Sequence, residues 1–290
     1  MHKLSRRGFT FVELLVAMTL LGVVTVSIYQ LLNNNQRVYR EQGLRIDLNQ
    51  NVRAAASILP SEIRELDAND PNGSDIVAMT GSSFSYNSMR NTYFLCTPPN
   101  TATLQVTLAR NTWFGTQMLD VTQQLFLLYA ENDPLLRADD AWLHVNATVA
   151  ANTSACAGGT PSVTVNLAGV TATQLAGVLQ GAPMKGYRVV QVLRYMDANG
   201  NYWIGSTTQN KTSLAWSGLE PIVGPITSTG LSFAYYDVNG AVTAVAANVA
   251  RVAISVTGQT QEQVRGSGSA LVYATSTLNS QIALRNNRRF

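Results

Sequence analysis

The chain has 290 residues, with 20 Lys and Arg against 17 Asp and Glu and a formal charge of +3. Apolar residues make up 46% and charged residues only 13%, about half the usual ~25%. This composition excludes a charge-rich disordered chain, and the presence of a single long apolar run excludes a membrane protein of many spans.

The charge is unevenly placed. Lys3, Arg6 and Arg7 precede the apolar run, and Arg285, Arg288 and Arg289 close the chain. Without the first three, 17 basic residues face 17 acidic ones. The basic character belongs to the ends, so no nucleic-acid-binding face is implied. The C-terminal cluster reads as a solvated tail.

From Phe9 to Leu32 the sequence is FTFVELLVAMTLLGVVTVSIYQLL, 24 residues with one charge, Glu13. About 20 apolar residues cross a bilayer as a helix. The basic residues before them predict a cytoplasmic N-terminus, with everything after about residue 33 on the other side. Three readings compete. A cleaved secretory signal has a shorter, uncharged core and a small-residue cleavage site, whereas Asn33, Asn34 and Asn35 follow here. A plain signal anchor explains the span but not Glu13. A carboxylate in such a span costs up to ~2.5–3.5 kcal/mol at its centre and is functional by default.

The third reading accounts for both features. SRRGFTFVELLVAM, residues 5–18, closely resembles the class III signal of type IV prepilins. In that family a short basic leader ends in Gly, Phe follows, and Glu is the fifth mature residue. Here the leader ends at Gly8, Phe9 begins the mature chain, and Glu13 is fifth. The resemblance implies that prepilin peptidase cuts between Gly8 and Phe9 on the cytoplasmic face and methylates the Phe9 amine. It also implies packing with other pilins through the N-terminal helix, driven by an inner-membrane assembly platform. The chain then waits in the inner membrane and ends in the periplasm or a surface pilus.

The residues fit that chemistry. Gly8 has no side chain, so the peptide can lie extended in a protease cleft. The Phe9 amine and the Glu13 carboxylate are opposite charges in apolar surroundings. Staggered neighbours can pair them, which lowers the cost of burying each. Glu13 is therefore expected to set the register of insertion into a filament.

Beyond Leu32 the polarity rises while helical periodicity continues. Leu44, Leu48, Val52, Ala55, Leu59, Ile63 and Leu66 form one apolar stripe. Arg45, Asp47, Gln50, Arg53 and Glu62 mostly take the other side. A helix over 9–66 would be roughly 87 Å long. Gly22 and Gly43 weaken it locally, and Pro60 predicts a kink or an end. The segment from Asp67 to Gly73 is a stop.

Residues 67–290 read as a head outside the cytoplasm, rich in short strands separated by Gly, Asn, Pro and Ser. Strands are expected at 92–97, 103–109, 124–130, 142–148, 162–167, 187–196, 201–206, 231–237, 241–246 and 249–257, with a short helix over 172–180. Asn199-Gly200 and Asn239-Gly240 predict two-residue hairpin turns. Asp197, Asn199 and Asn201 match the start of a calcium loop, but its sixth-position Gly and late Glu are missing, so the turn reading prevails. The overall expectation is an α+β, pilin-like lollipop: a leader over 1–8, a long helix over 9–66 with its transmembrane part at 9–32, and an antiparallel β-rich head.

A head of this size resembles the larger minor pilins and the J-type pseudopilins of type II secretion. An adhesin or DNA-uptake module displayed on a filament is the rival from another class. Cys96 and Cys156 are expected to form a disulfide, as an extracytoplasmic head permits. Many pilins carry such a bond nearer the C-terminus, so this placement departs from that pattern. His2 and His144 are the only histidines, too few for a typical zinc site. No nucleophile elbow, P-loop or dinucleotide fingerprint occurs, so neither a cofactor nor an enzymatic activity is expected. Trp113, Trp142, Trp203 and Trp216 read as packing residues.

Overall fold

The structure, a computed structural model, describes residues 10–69, 73–133, 135–136, 139–150, 155–266 and 270–284. One helix, α1 (Phe11–Ile63), opens it. Its 53 residues span roughly 80 Å at ~1.5 Å each. Pro60 does not end it: the helix runs one more turn, and the Pro60 carbonyl accepts from the Arg64 N–H. Proline here removes only the bond to the carbonyl four residues back. The turns on both sides of Pro60 are held against the head by Leu59 and Ile63, both buried. Helix thus ends at 63 and not 66, though Leu66 still joins the core.

Thirteen strands follow among the described residues. β1 (Ile76–Met79), β2 (Ser83–Leu95), β3 (Gln105–Gly115), β4 (Leu125–Ala130), β5 (Ala141–Val149) and β6 (Ser162–Ala168) precede a short α2 (Ala172–Ala176). Then come β7 (Pro183–Met196), β8 (Tyr202–Thr208), β9 (Glu220–Tyr236), β10 (Arg251–Gln259), the small β11 (Val264–Arg265) and β12 (Leu271–Val272) pair, and β13 (Thr275–Ala283). Every pairing is antiparallel.

Six of the strands pair in a closed circuit. β2 pairs β3, β3 pairs β6, β6 pairs β5, β5 pairs β4, β4 pairs β7, and β7 returns to β2. These six strands form a barrel. The other strands extend an open sheet in the order β1-β2-β7-β8-β9-β10-β13. Only β2 and β7 belong to both. Their length is what allows this: 13 and 14 residues give each strand one half for each partner set. The half of β7 near Met184 lies between β2 and β4, and the half near Val190 lies between β2 and β8.

Each lobe has its own core. Tyr93, Leu95, Leu108, Phe126, Leu128, Val165 and Met184 fill the barrel, with Leu175 of α2. Phe84, Tyr86, Val192, Ile204, Ile226, Phe233 and Ile254 line the sheet, and Ala55, Leu59 and Ile63 of α1 cover them. A polar seam separates the cores. The Asn91 amide donates to the carbonyls of Gln117 and Met118 and to Gln124 Oε1, at 3.0–3.1 Å. Beside it Arg188 meets Asp120 at 3.4 Å. The Thr122 hydroxyl, donating to Asp120, is the main cause holding that carboxyl below its usual range.

Several expected elements change. Residues 241–246 are not a strand: a single bridge joins Tyr236 to Val242, and a short 3-10 turn (Ala246–Asn248) follows. The edge of β9 that a returning strand needs is already taken by β10, whose Arg251 pairs Tyr236. α2 covers only the first five residues of the expected helix, capped by a Thr171–Gln174 capping box and ended at Gly177. The Asn-Gly turns are three-residue loops. Gly200 and Gly240 are left-handed, their N–H groups return to the carbonyls of Asp197 and Asp237, and Asp197 N–H meets the carbonyl of Asn201. An Asp that accepts from two backbone N–H groups favours this longer loop over a two-residue turn.

Candidate functional site

Among the described residues, the part of α1 outside the head carries the longest run of exposed large apolar side chains, from Phe11 to Leu32. Every residue from Thr10 to Arg40 is exposed, which is roughly 45 Å of bare helix. α1 is the one helix among the described residues long and apolar enough to cross a membrane. Three of its aliphatic hydroxyls are satisfied internally: Thr19, Thr25 and Ser27 donate to the carbonyls of Val16, Leu21 and Val23 at 2.7–2.9 Å. Such bonding lets these residues lie among lipid or other helices without an orphan donor.

Glu13 stands in the first turn. Thr10 is the N-cap, its hydroxyl accepting from the Glu13 N–H at 3.3 Å. A carboxylate here faces the positive end of the helix dipole, but among the described residues no cation reaches it. The expected partner, the Phe9 amine, and the cleavage residue Gly8 lie outside the described residues, as does the Arg285–Arg289 cluster.

The head grips the other half of α1. Gly258 of β10 lies where a Cβ would fall 2.6 Å from Val52 and 2.8 Å from Leu48, so helix and strand approach closely only because the residue is glycine. Asn51 donates to the Gly224 carbonyl at 3.0 Å. Arg40 pairs Glu262 at 2.6 Å at the point where the helix leaves the head. Glu62, expected on the polar side, instead turns toward β2. It accepts from Tyr86 Oη at 2.8 Å and Ser88 Oγ at 3.0 Å, with Arg90 3.6 Å away. Burial first, and Glu62 second, push the Tyr86 hydroxyl well above its ordinary value. This neutral donor keeps the helix docked. Helical spacing alone could have flagged it, since Glu62 neighbours Leu59 and Ile63 at the edge of the apolar stripe.

The head residues singled out in the sequence have structural partners. Cys96 and Cys156 form a disulfide with Cα atoms 5.4 Å apart. It closes a loop that contains β3, β4 and β5, and so staples the barrel. Asp197 Oδ1 accepts from the N–H groups of Asn199 and Asn201, and Oδ2 from Trp203 Nε1 at 2.9 Å. These bonds, that from Asn201 foremost, depress its pKa. Both carboxylate oxygens thus organise the loop, and no cluster of three His, Cys, Asp or Glu able to hold a metal occurs among the described residues. His144 Nδ1 lies 3.2 Å from Tyr187 Oη, whose pKa burial raises to about 12. Trp113 stacks on Tyr93, and Trp142 packs against Tyr129.

A cleft of about 400 Å³ opens between the end of α1 and the sheet, lined by Glu62, Arg90, Arg188, Glu220 and the apolar floor of Val190 and Val192. Its charged groups balance, two of each sign.

Comparison with protein families matches the prokaryotic N-terminal methylation motif at residues 3–29. The chain is type IV prepilin-like in this segment and in the long helix that continues it. No curated protein and no solved structure matches the chain.

Proposed function

We propose that the chain is a minor pilin of a type IV pilus, a structural subunit that helps prime assembly and sits at or near the tip. The observation that carries this reading is the bare first part of α1, residues 11–32, apolar on nearly all sides with the single charge of Glu13. Such a surface suits lipid before assembly and the helices of other pilins after it. Prepilin peptidase removes residues 1–8, the Phe9 amine is methylated, and Glu13 pairs with the amine of a neighbour. The inner-membrane assembly platform then moves the subunit from the membrane into the filament. A head of more than 200 residues suits a subunit of low abundance that need not repeat along a fibre.

The test is the N-terminus of the mature protein, read by mass spectrometry of membranes and sheared filaments. The expected species begins at N-methylated Phe9 and is present in the sheared fraction. An intact Met1 confined to membranes overturns the reading. Presence of the processed chain only in the cell envelope, with loss of a secreted protein on deletion, moves it to a J-like pseudopilus.

A further inference from the structure

The two edges of the open sheet differ sharply. β1 is four residues long, with a register shift between Ile76 and Ala78. Short length and a bulge are ordinary ways to blunt an edge. β13 has neither. Its nine residues, TSTLNSQIA, pair β10 in unbroken register from Thr275 to Ala283 and include no charge and no proline.

The hydrogen-bond parity of that ladder can be read from its ends. Leu284 N–H donates to the Ala250 carbonyl, and Thr260 N–H to the Ala274 carbonyl. Bonded pairs alternate along an antiparallel ladder, so Ser276, Leu278, Ser280 and Ile282 spend their backbone groups on β10. Thr275, Thr277, Asn279, Gln281 and Ala283 then point N–H and C=O away from the sheet. All five are exposed, and no hydrogen bond meets these backbone groups among the described residues. The free edge is roughly 30 Å long at ~3.4 Å per residue.

Only an extended polypeptide matches ten alternating donors and acceptors at this spacing. A second copy fits poorly. Its complementary edge, β1, is less than half as long as β13. Antiparallel pairing of two β13 strands conflicts with the membrane. Ser276 touches Asn49, while Leu278 and Ser280 lie beside Ala55, Ala56, Leu59 and Pro60, so α1 and β13 run in the same direction. Reversing one strand reverses its helix, and the two anchors could not enter one bilayer.

We propose that β13 is a docking edge for an extended strand from the head of a different subunit in the same filament. This rests on the filament reading above. A filament built on parallel α1 helices sets heads side by side, which brings a neighbour's strand within reach of an edge running along α1.

The test uses the full-length chain in cells that assemble filaments. A photo-cross-linking residue replaces Asn279 in one strain and Tyr29, in the bare part of α1, in another. Cross-linked peptides are mapped by mass spectrometry. The expected result is a cross-link from position 279 to one extended segment of another subunit. Gln281→Pro, which removes an outward N–H but no bond to β10, lowers its yield about tenfold or more, and Thr277→Lys lowers it without altering the backbone. In both variants the Cys96–Cys156 disulfide and the position 29 cross-link persist. A cross-link at 29 with none at 279, one to a second copy, or one indifferent to both variants overturns the edge assignment alone. Silence at both positions overturns the filament reading and the edge together.

Discussion

The barrel and the helix-backed sheet share two strands yet seal their cores by different means. The barrel closes on itself: six strands return to their start, and a disulfide ties the ends of the segment carrying three of them. The sheet lobe cannot close alone. Its inner face needs Ala55, Leu59 and Ile63 of α1, and its far edge, β13, has no further strand beside it among the described residues. The lobe that depends on the helix is the one attached to its exposed, membrane-length segment. The barrel core forms without α1, whereas a lobe completed by α1 transmits the position of that helix to the rest of the head.

This contrast can be tested, from the largest expected effect to the smallest. Replacing Cys96 and Cys156 by Ser reopens a loop of sequence separation 60, costing about 4 kcal/mol in the chain-entropy model. Denaturant unfolding of the full-length protein in detergent should show that loss, with protease cuts confined to the barrel. Equal cutting in both lobes would mean they unfold as one unit. Leu59→Ala removes a side chain only 3% exposed and should cost about 3 kcal/mol. Here the new cuts should fall in the sheet lobe, while the barrel stays resistant.

Lys211 joins the lobes. From the loop after β8 its ammonium donates to the Val121 carbonyl, to Asn146 Oδ1 at 2.7 Å and to the Ala147 carbonyl at 3.4 Å, and burial lowers its pKa. Lys211→Met leaves these acceptors without their donor, a loss of about 1–2 kcal/mol. A single melting transition should broaden or split if this link couples the lobes. The smallest effect is that of pH on the sheet lobe. The Asp197 pKa is depressed in the fold, so its contribution is fully present above the ordinary carboxylate value of ~3.9 and fades as pH falls through the lower folded value. Trp203 fluorescence should change in that acid window, and Asp197→Asn should abolish the change.

Much of this was legible in the sequence where a local pattern suffices. The stripe from Leu48 to Ile63 is buried against the head as its spacing predicts, because helical period alone sorts the faces. The disulfide was foreseen from two cysteines in an extracytoplasmic head. Strands such as 124–130 and 249–257 were visible as apolar runs. β13 was not: TSTLNSQIA has too few apolar residues to stand out, and it is a strand because β10 offers it a ladder. The same holds for β1 and for the first halves of β2 and β9. Residues 241–246 show the reverse, an apolar run denied a strand because β10 already held the neighbouring edge. Glu62 looked like a solvated charge and instead receives Tyr86 and Ser88, which lie more than twenty residues away in sequence.

By itself, the sequence determined the apolar helix, its lone carboxylate and the prepilin-like N-terminus, since hydropathy, charge and a short motif act over neighbouring residues. Only the tertiary structure decided that the head has two cores, that β2 and β7 serve both, that one lobe closes while the other borrows α1, and that β13 is left open. These outcomes depend on which strand reaches a free edge first in space. Backbone hydrogen bonds are the same for every residue, so no single stretch of sequence records that competition.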